Sequence, residues 1–159
     1  MKTYIILDLD NTIADDSWRI PKINWQRQNP LDRYHDYHSL SAFDKVGNDH
    51  LLATRHHILI FTARPVRYRA ITEEWLRRNG IEYEHLLMRN DNDHCHSVVL
   101  KAKMLNWLPE MYGIAWDKIF AAYDDRKDVV EMFEKCGIAA ACVPIHDTCA
   151  YTNPNEETA

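Results

Sequence analysis

Residues 4–12 read Tyr4-Ile5-Ile6-Leu7-Asp8-Leu9-Asp10-Asn11-Thr12, four apolar residues that run straight into two carboxylates. An unbroken apolar run of this length fits a strand covered on both faces, as in a parallel sheet, rather than an alternating, half-exposed one. Working outward, the same pattern recurs. Ile58-Leu59-Ile60-Phe61 stops at Thr62-Ala63-Arg64-Pro65, and a helical pattern follows with Ile71, Trp75 and Leu76 on one face. Glu73/Arg77 and Glu74/Arg78 are i,i+4 pairs on that helix, and Gly80 stands where a C′ residue belongs. His85 to Met88 is the next predicted strand, with Ser97 as N-cap of a helix through Lys101, Leu105 and Leu108 that stops at Pro109. Ile119 to Tyr123 ends in Asp124-Asp125, and a helix carrying Val129, Val130, Met132 and Phe133 closes at Gly137 before a strand from Ile138 to Val143. This alternation predicts an α/β fold with a doubly wound parallel sheet. Ligands of such sheets bind beyond the carboxyl ends of the strands, where Asp8, Asp10, Thr62, Asp124 and Asp125 all fall.

The chain has 159 residues, read as one domain over 1–150 with a frayed tail at 151–159. The stretch between the first two strands exceeds an ordinary crossover. Its end, from Asn48 or Asp49 through Leu51, Leu52 and Arg55, is the predicted crossover helix. Residues 16–47 are a small insertion, or cap, over the rim, carrying Trp18, Arg19, Trp25, Arg27, Arg33, Tyr34 and Tyr37. Trp18, Trp25, Tyr34 and Tyr37 could stack on a base, but as a group they read as the insertion's miniature core. With 46% hydrophobic and 27% charged residues, collagen-like, low-complexity and wholly disordered readings are excluded. Nineteen Lys+Arg against 24 Asp+Glu leave a net charge of −5, so no extended nucleic-acid-binding face is expected, only a local grip on an anion. No apolar run approaches the roughly 20 residues of a membrane span, and Met1-Lys2-Thr3 leads into the first strand without signal-peptide features, so the expected location is cytoplasmic. Cys95, Cys136, Cys142 and Cys149 form no CxxC pair and are read as free thiols.

Two carboxylates at i and i+2 after a buried strand repel one another unless a cation shares the site. A bare Asp-x-Asp is most often a solvated turn; joined to Thr62, Lys101 and Asp124-Asp125, it reads as a site. Hard oxygen ligands favour Mg²⁺ over Zn²⁺, and with Lys101 as a positive partner the rim can accept a phosphate dianion and let one carboxylate attack phosphorus. His94, Cys95 and His96 lack a second half-site for zinc and read as loop polars.

Asp8-Leu9-Asp10-Asn11-Thr12, Thr62 after an apolar strand, Lys101 at the head of a later helix and Asp124-Asp125 resemble, in order, the four motifs of the haloacid dehalogenase superfamily. Within it, Phe61-Thr62-Ala63-Arg64-Pro65, Leu86-Leu87-Met88-Arg89 and Tyr123-Asp124-Asp125-Arg126 are most similar to the phosphatase domain of bacteriophage polynucleotide kinase-phosphatases. The resemblance implies a haloacid dehalogenase-like Rossmannoid fold and a phosphomonoesterase working through an aspartyl-phosphate on a nucleotide-type substrate, either a nucleic-acid 3′-phosphate end or a mononucleotide. It implies Asp8 as nucleophile, Asp10 as general acid and then base, and Lys101 as electrostatic stabiliser, with Lys103 as a rival deeper in the helix. Mg²⁺ would be held by Asp8, the carbonyl oxygen of Asp10, and Asp125, with Asp124 in the outer shell. Thr62, with Ala63, Arg64, Thr12 and Arg89, would surround the phosphate, although Arg64 and Arg89 could equally brace the loops that carry them. Relatives commonly carry an arginine after the loop that follows Met88-Arg89; here it runs Asp91-Asn92-Asp93-His94-Cys95-His96. No GxxxxGK[ST] occurs in these 159 residues, so the kinase half is not expected among them. A receiver-like phospho-aspartate signalling module is the alternative, but its acidic pair would come first and its lysine last.

Overall fold

A computed structural model describes residues 1–147. In chain order the strands are β1 (Tyr4–Leu7), β2 (Ala14–Asp15), β3 (Lys45–Val46), β4 (His57–Pro65), β5 (His85–Arg89), β6 (Ile119–Asp124) and β7 (Ala140–Cys142). The helices are α1 (Pro30–Arg33), α2 (His35–Ser39), α3 (Arg69–Arg78), α4 (Ser97–Met111) and α5 (Lys127–Lys135). Five strands form a parallel sheet in the order β5-β4-β1-β6-β7, while β2 and β3 pair antiparallel at the base of the insertion. Ile6 lies opposite Leu59 on one side and Ala122 on the other. The chain winds from β1 toward β5, then crosses to β6 on the other side, so the switch point lies between β1 and β6.

The apolar run of β1 is buried throughout because alternate residues enter different cores. Ile6 packs with Leu100, Met104, Leu105 and Phe133 of α4 and α5. Ile5 and Leu7 pack on the opposite face with Trp75 and Leu76 of α3. Each such side chain contributes about 1.5–3 kcal/mol by leaving water. Gly80 and Gly137 adopt φ +64° and +81°, and each lets the next residue's N–H reach back five residues, Ile81 to Leu76 and Ile138 to Phe133, both at 3.0 Å.

Several boundaries differ from the sequence reading. The expected crossover helix is a single 3₁₀ turn, Asp49–Leu52. Asn48 enters it at φ 47°, and its side-chain amide donates to the carbonyls of Thr12 and Val143 instead of capping a helix. Helix α4 runs through Pro109 to Met111. Proline there leaves the Leu105 carbonyl without its helical donor, and the indole N–H of Trp116 supplies one at 2.8 Å. His96, not Ser97, caps α4, its ring nitrogen accepting the Val98 N–H at 3.3 Å. Strand β4 continues to Pro65, with a register shift between Thr62 and Pro65, and β7 is shorter than Ile138–Val143. Among the described residues no helix is long and apolar enough to cross a membrane, and Cys95, Cys136 and Cys142 are free. Cys149 and the 151–159 tail lie outside the described residues.

Candidate active site

The site begins where β1 ends. The Leu9 carbonyl accepts the N–H groups of Thr12, Ile13 and Ala14 at 2.9–3.0 Å, curling the chain into a tight loop. The loop needs a left-handed residue, and Asn11 at φ 63° supplies it, asparagine being among the side chains that tolerate this region. Its buried side chain also works as a clasp. Oδ1 accepts the N–H groups of Ile145 and His146 at 3.0 and 2.8 Å, and Nδ2 donates to Asp125 Oδ2 at 3.2 Å and to the His146 carbonyl at 3.1 Å.

This loop leaves Asp8 beside the end of β6. Asp8 Oδ1 accepts Lys101 Nζ at 2.7 Å, and Oδ2 accepts the Thr12 hydroxyl at 3.1 Å. Lys101, buried on the second turn of α4, also donates to Asp124, whose other oxygen takes the Arg126 N–H at 3.0 Å. Asp8, Asp124 and Asp125 place carboxylate oxygens within 4.8 Å of one another. Burial pushes the Asp8 carboxyl well above the usual range; Lys101 opposes this, and the charges of Asp124 and Asp125 reinforce it. Burial, with the charge of Asp124, likewise lifts Asp125 to about 6, against Lys101 and Asn11. The Lys101 ammonium loses solvation, but Asp124 and Asp8 outweigh that loss and keep it charged. Three crowded carboxylates against one ammonium suit a divalent cation with hard oxygen ligands.

Asp10 belongs to a second cluster. Arg64 donates to it through Nε at 3.1 and 3.2 Å and through Nη2 at 2.6 Å, and Arg19 donates to the same carboxylate. Both arginines are fully buried. Arg64 is further held by the Thr72 hydroxyl at 3.1 Å. Arg19 bonds Asp44 through Nε at 2.9 Å and Nη2 at 2.8 Å, bonds the Tyr37 carbonyl at 2.9 Å, and lies over the Tyr37 ring at 4.2 Å. Burial alone would raise the Asp10 carboxyl, but the guanidinium charges of Arg64 and Arg19 outweigh it and hold Asp10 ionised, far below the usual range. Beside them, burial lowers His38 to about 3 against the charge of Asp10, so its ring is neutral.

The structure thus brings Asp8, Thr12, Lys101, Asp124 and Asp125 together, with Thr62 buried on β4 and its hydroxyl accepting the Arg64 N–H at 3.2 Å. It does not bring Arg64 or Arg89 to them as free cations. Arg64 faces Asp10, and Arg89 spends its donors on the carbonyls of Ala63, Asp93 and Cys95 at 2.7–3.0 Å. Lys103 pairs with Asp93 at an exposed position. Of the insertion aromatics, Tyr37 is buried, but Trp18 is 44% exposed and so does not belong to a miniature core. Sequence reasoning assigned no role to Asn11, Arg19, Asp44 or His38. Asn11 had a signal, a residue tolerant of positive φ inside the motif. Arg19 and Asp44 are partners 25 positions apart, which no local pattern reveals.

Comparison with known proteins fits this geometry. The family model of the polynucleotide kinase PNKP phosphatase domain matches residues 2–147. The chain belongs to that family. No protein of curated function matches the sequence. Among solved structures, the Pnkp1/Rnl/Hen1 RNA repair complex contains a chain 24% identical, with TM-score 0.65 over 90% of this chain and 42% of that one. This member of the PNKP phosphatase family therefore spans under half the length of the chain it matches in that complex. A haloacid dehalogenase-like hydrolase of Streptococcus pneumoniae is 12% identical, with TM-score 0.62 over 94% of this chain and 89% of that one. A haloacid dehalogenase family enzyme of Bacteroides thetaiotaomicron, solved with magnesium and inorganic phosphate, is 10% identical, with TM-score 0.55 over 93% and 98%. At these identities the likeness shows the fold, a haloacid dehalogenase-like α/β sheet. The family match shows a phosphatase and sets the receiver-like alternative aside.

Proposed function

We propose that this chain is a Mg²⁺-dependent phosphomonoesterase, acting in the cytoplasm on a nucleotide-type ester, either a nucleic-acid 3′-phosphate end or a mononucleotide. One observation carries the reading: the Asp8 carboxylate is pinned at the switch point between Lys101 and Thr12, within 4.8 Å of two further carboxylates. An Asp8 oxygen attacks phosphorus, the ester P–O bond breaks, and the leaving oxygen takes its proton from solvent water, because Arg64 and Arg19 hold Asp10 ionised. Water then attacks the aspartyl-phosphate, loses its proton to Asp10, and releases inorganic phosphate and the Asp8 carboxylate. Mg²⁺ would be held by Asp8, the Asp10 carbonyl and Asp125, and would neutralise phosphate charge. Asp124 has both oxygens engaged by Lys101 and Arg126, which suits an outer-shell role. Thr62 and Ala63 are assigned to the phosphoryl oxygens, Arg64 to positioning Asp10, and Arg89 to ordering its loop. A net charge of −5 favours chain ends and single nucleotides over long polyanions. Phosphate release from 3′-phosphorylated oligonucleotides, 3′- and 5′-nucleotides and sugar phosphates, each with Mg²⁺ and with chelator, tests the reading; failure on every nucleotide would reject it.

The ion pairs of Asp10 favour its role as base over its role as acid. In Asp10→Asn, nitrophenyl phosphate should therefore give one burst of nitrophenolate equal to the enzyme present, followed by turnover reduced on the order of 10³-fold. A missing burst with that good leaving group would place Asp10 in the first step instead.

Metal should stabilise the fold by RT ln(1 + [Mg²⁺]/Kd), about 2.7 kcal/mol at a hundredfold excess over Kd. Thermal melts should show this in the wild type and in Asp124→Ala to a lesser extent, and lose it in Asp125→Ala. A larger loss in Asp124→Ala than in Asp125→Ala would exchange their assignments.

A further inference from the structure

The aromatics of the insertion divide into two kinds. Trp25, Tyr34 and Tyr37 meet edge to face, with centroids 6.0 and 6.2 Å apart. Trp18 is 44% exposed, yet its indole N–H is anchored to Asp44 Oδ1 at 2.9 Å. That Asp44 carboxylate is buried and also holds Arg19, which in turn bonds Asp10. Three hydrogen-bond links therefore join an open indole to Asp10, limiting the separation between the indole nitrogen and the Asp10 carboxylate to about 10 Å. This matches the span from phosphate to base within one nucleotide. A ring already fixed by its N–H gives up little rotamer entropy when a second ring covers it.

We propose that Trp18 is the platform on which the nucleobase attached to the scissile phosphate stacks, so that the preferred esters carry an aromatic base next to the phosphate. The proposal rests on the phosphomonoesterase reading for its reaction but has its own readout. Stacking on an aromatic face tolerates any base, so the expected preference is for a base over none rather than for one base over another.

The test compares kcat/KM for thymidine 3′-monophosphate with that for its abasic counterpart, 1,2-dideoxyribose 3-phosphate. Trp18→Ala should lower the ratio on the order of tenfold, and Trp18→Phe, which keeps an aromatic face but loses the N–H anchor to Asp44, should keep part of it. Phe120→Ala removes a ring that is 59% exposed near the opposite end of β6 and should leave the ratio unchanged. Equal losses on both esters in Trp18→Ala, or a Trp18→Phe variant as impaired as Trp18→Ala, would overturn the platform and leave Trp18 only bracing Asp44. Calorimetric binding of both compounds to Asp8→Asn with Mg²⁺ reads stacking without turnover. A base-dependent affinity lost in Trp18→Ala supports the platform, and equal or undetectable affinities overturn it. Wild-type protein releasing no phosphate from either ester would overturn the 3′-phosphate reading of the substrate, while the calorimetry still decides the platform.

Discussion

Asp8→Asn should reduce phosphate release on the order of 10⁵-fold while leaving the fold in place. The expected size follows from removing the attacking oxygen's charge rather than a binding contact, since an amide cannot form the acyl-phosphate. Retention of the fold follows from the local geometry. The amide oxygen can still accept from Lys101 and the amide nitrogen can still donate to the Thr12 hydroxyl, so both neighbours keep a partner. One of three mutually repelling carboxylates also becomes neutral. Phosphate release near the wild-type rate, with a circular dichroism spectrum and melt like those of the parent, would remove Asp8 from the nucleophile's role.

Arg19→Ala should be the most destabilising single substitution. It strips one buried guanidinium from two carboxylates, Asp10 and Asp44, and from the Tyr37 carbonyl, and it leaves the Tyr37 ring uncovered. Breaking a buried ion pair from one side costs about 3–5 kcal/mol, because the partner's charge stays behind unpaired. For a chain of this length that corresponds to a drop in melting temperature on the order of 10 °C. The double variant Arg19→Met/Asp44→Leu should regain part of the loss, since it removes charge from both sides. A single variant melting within a degree or two of the wild type would show that Arg19 does not anchor the insertion.

The framework was legible because its signals are local. A buried β1 flanked by carboxylates, a second apolar run ending at Thr62 and Asp124-Asp125 at the end of a third place the site by the strand-end rule alone. Lys101 was legible from its position near the start of α4. The rest depends on contacts between distant parts of the chain. Nothing around Arg19 distinguishes it from Arg27 or Arg33, and only packing shows that it is buried while Arg33 is not. Pro109 reads as a helix stop until Trp116 is seen supplying the missing donor. The crossover near Asn48 reads as a helix until that side chain is found bonded to two distant carbonyls.

The Asn11 clasp bears on the order in which the molecule is made. Its bonds to Ile145 and His146 join positions 134 and 135 residues apart, among the widest loops the chain must close. Loop closure over such separations comes late, after the local strand–helix units have formed. A ribosome therefore delivers the nucleophile some 135 residues before the backbone that fixes its loop, so the growing chain carries its reactive carboxylate unassembled over that whole span.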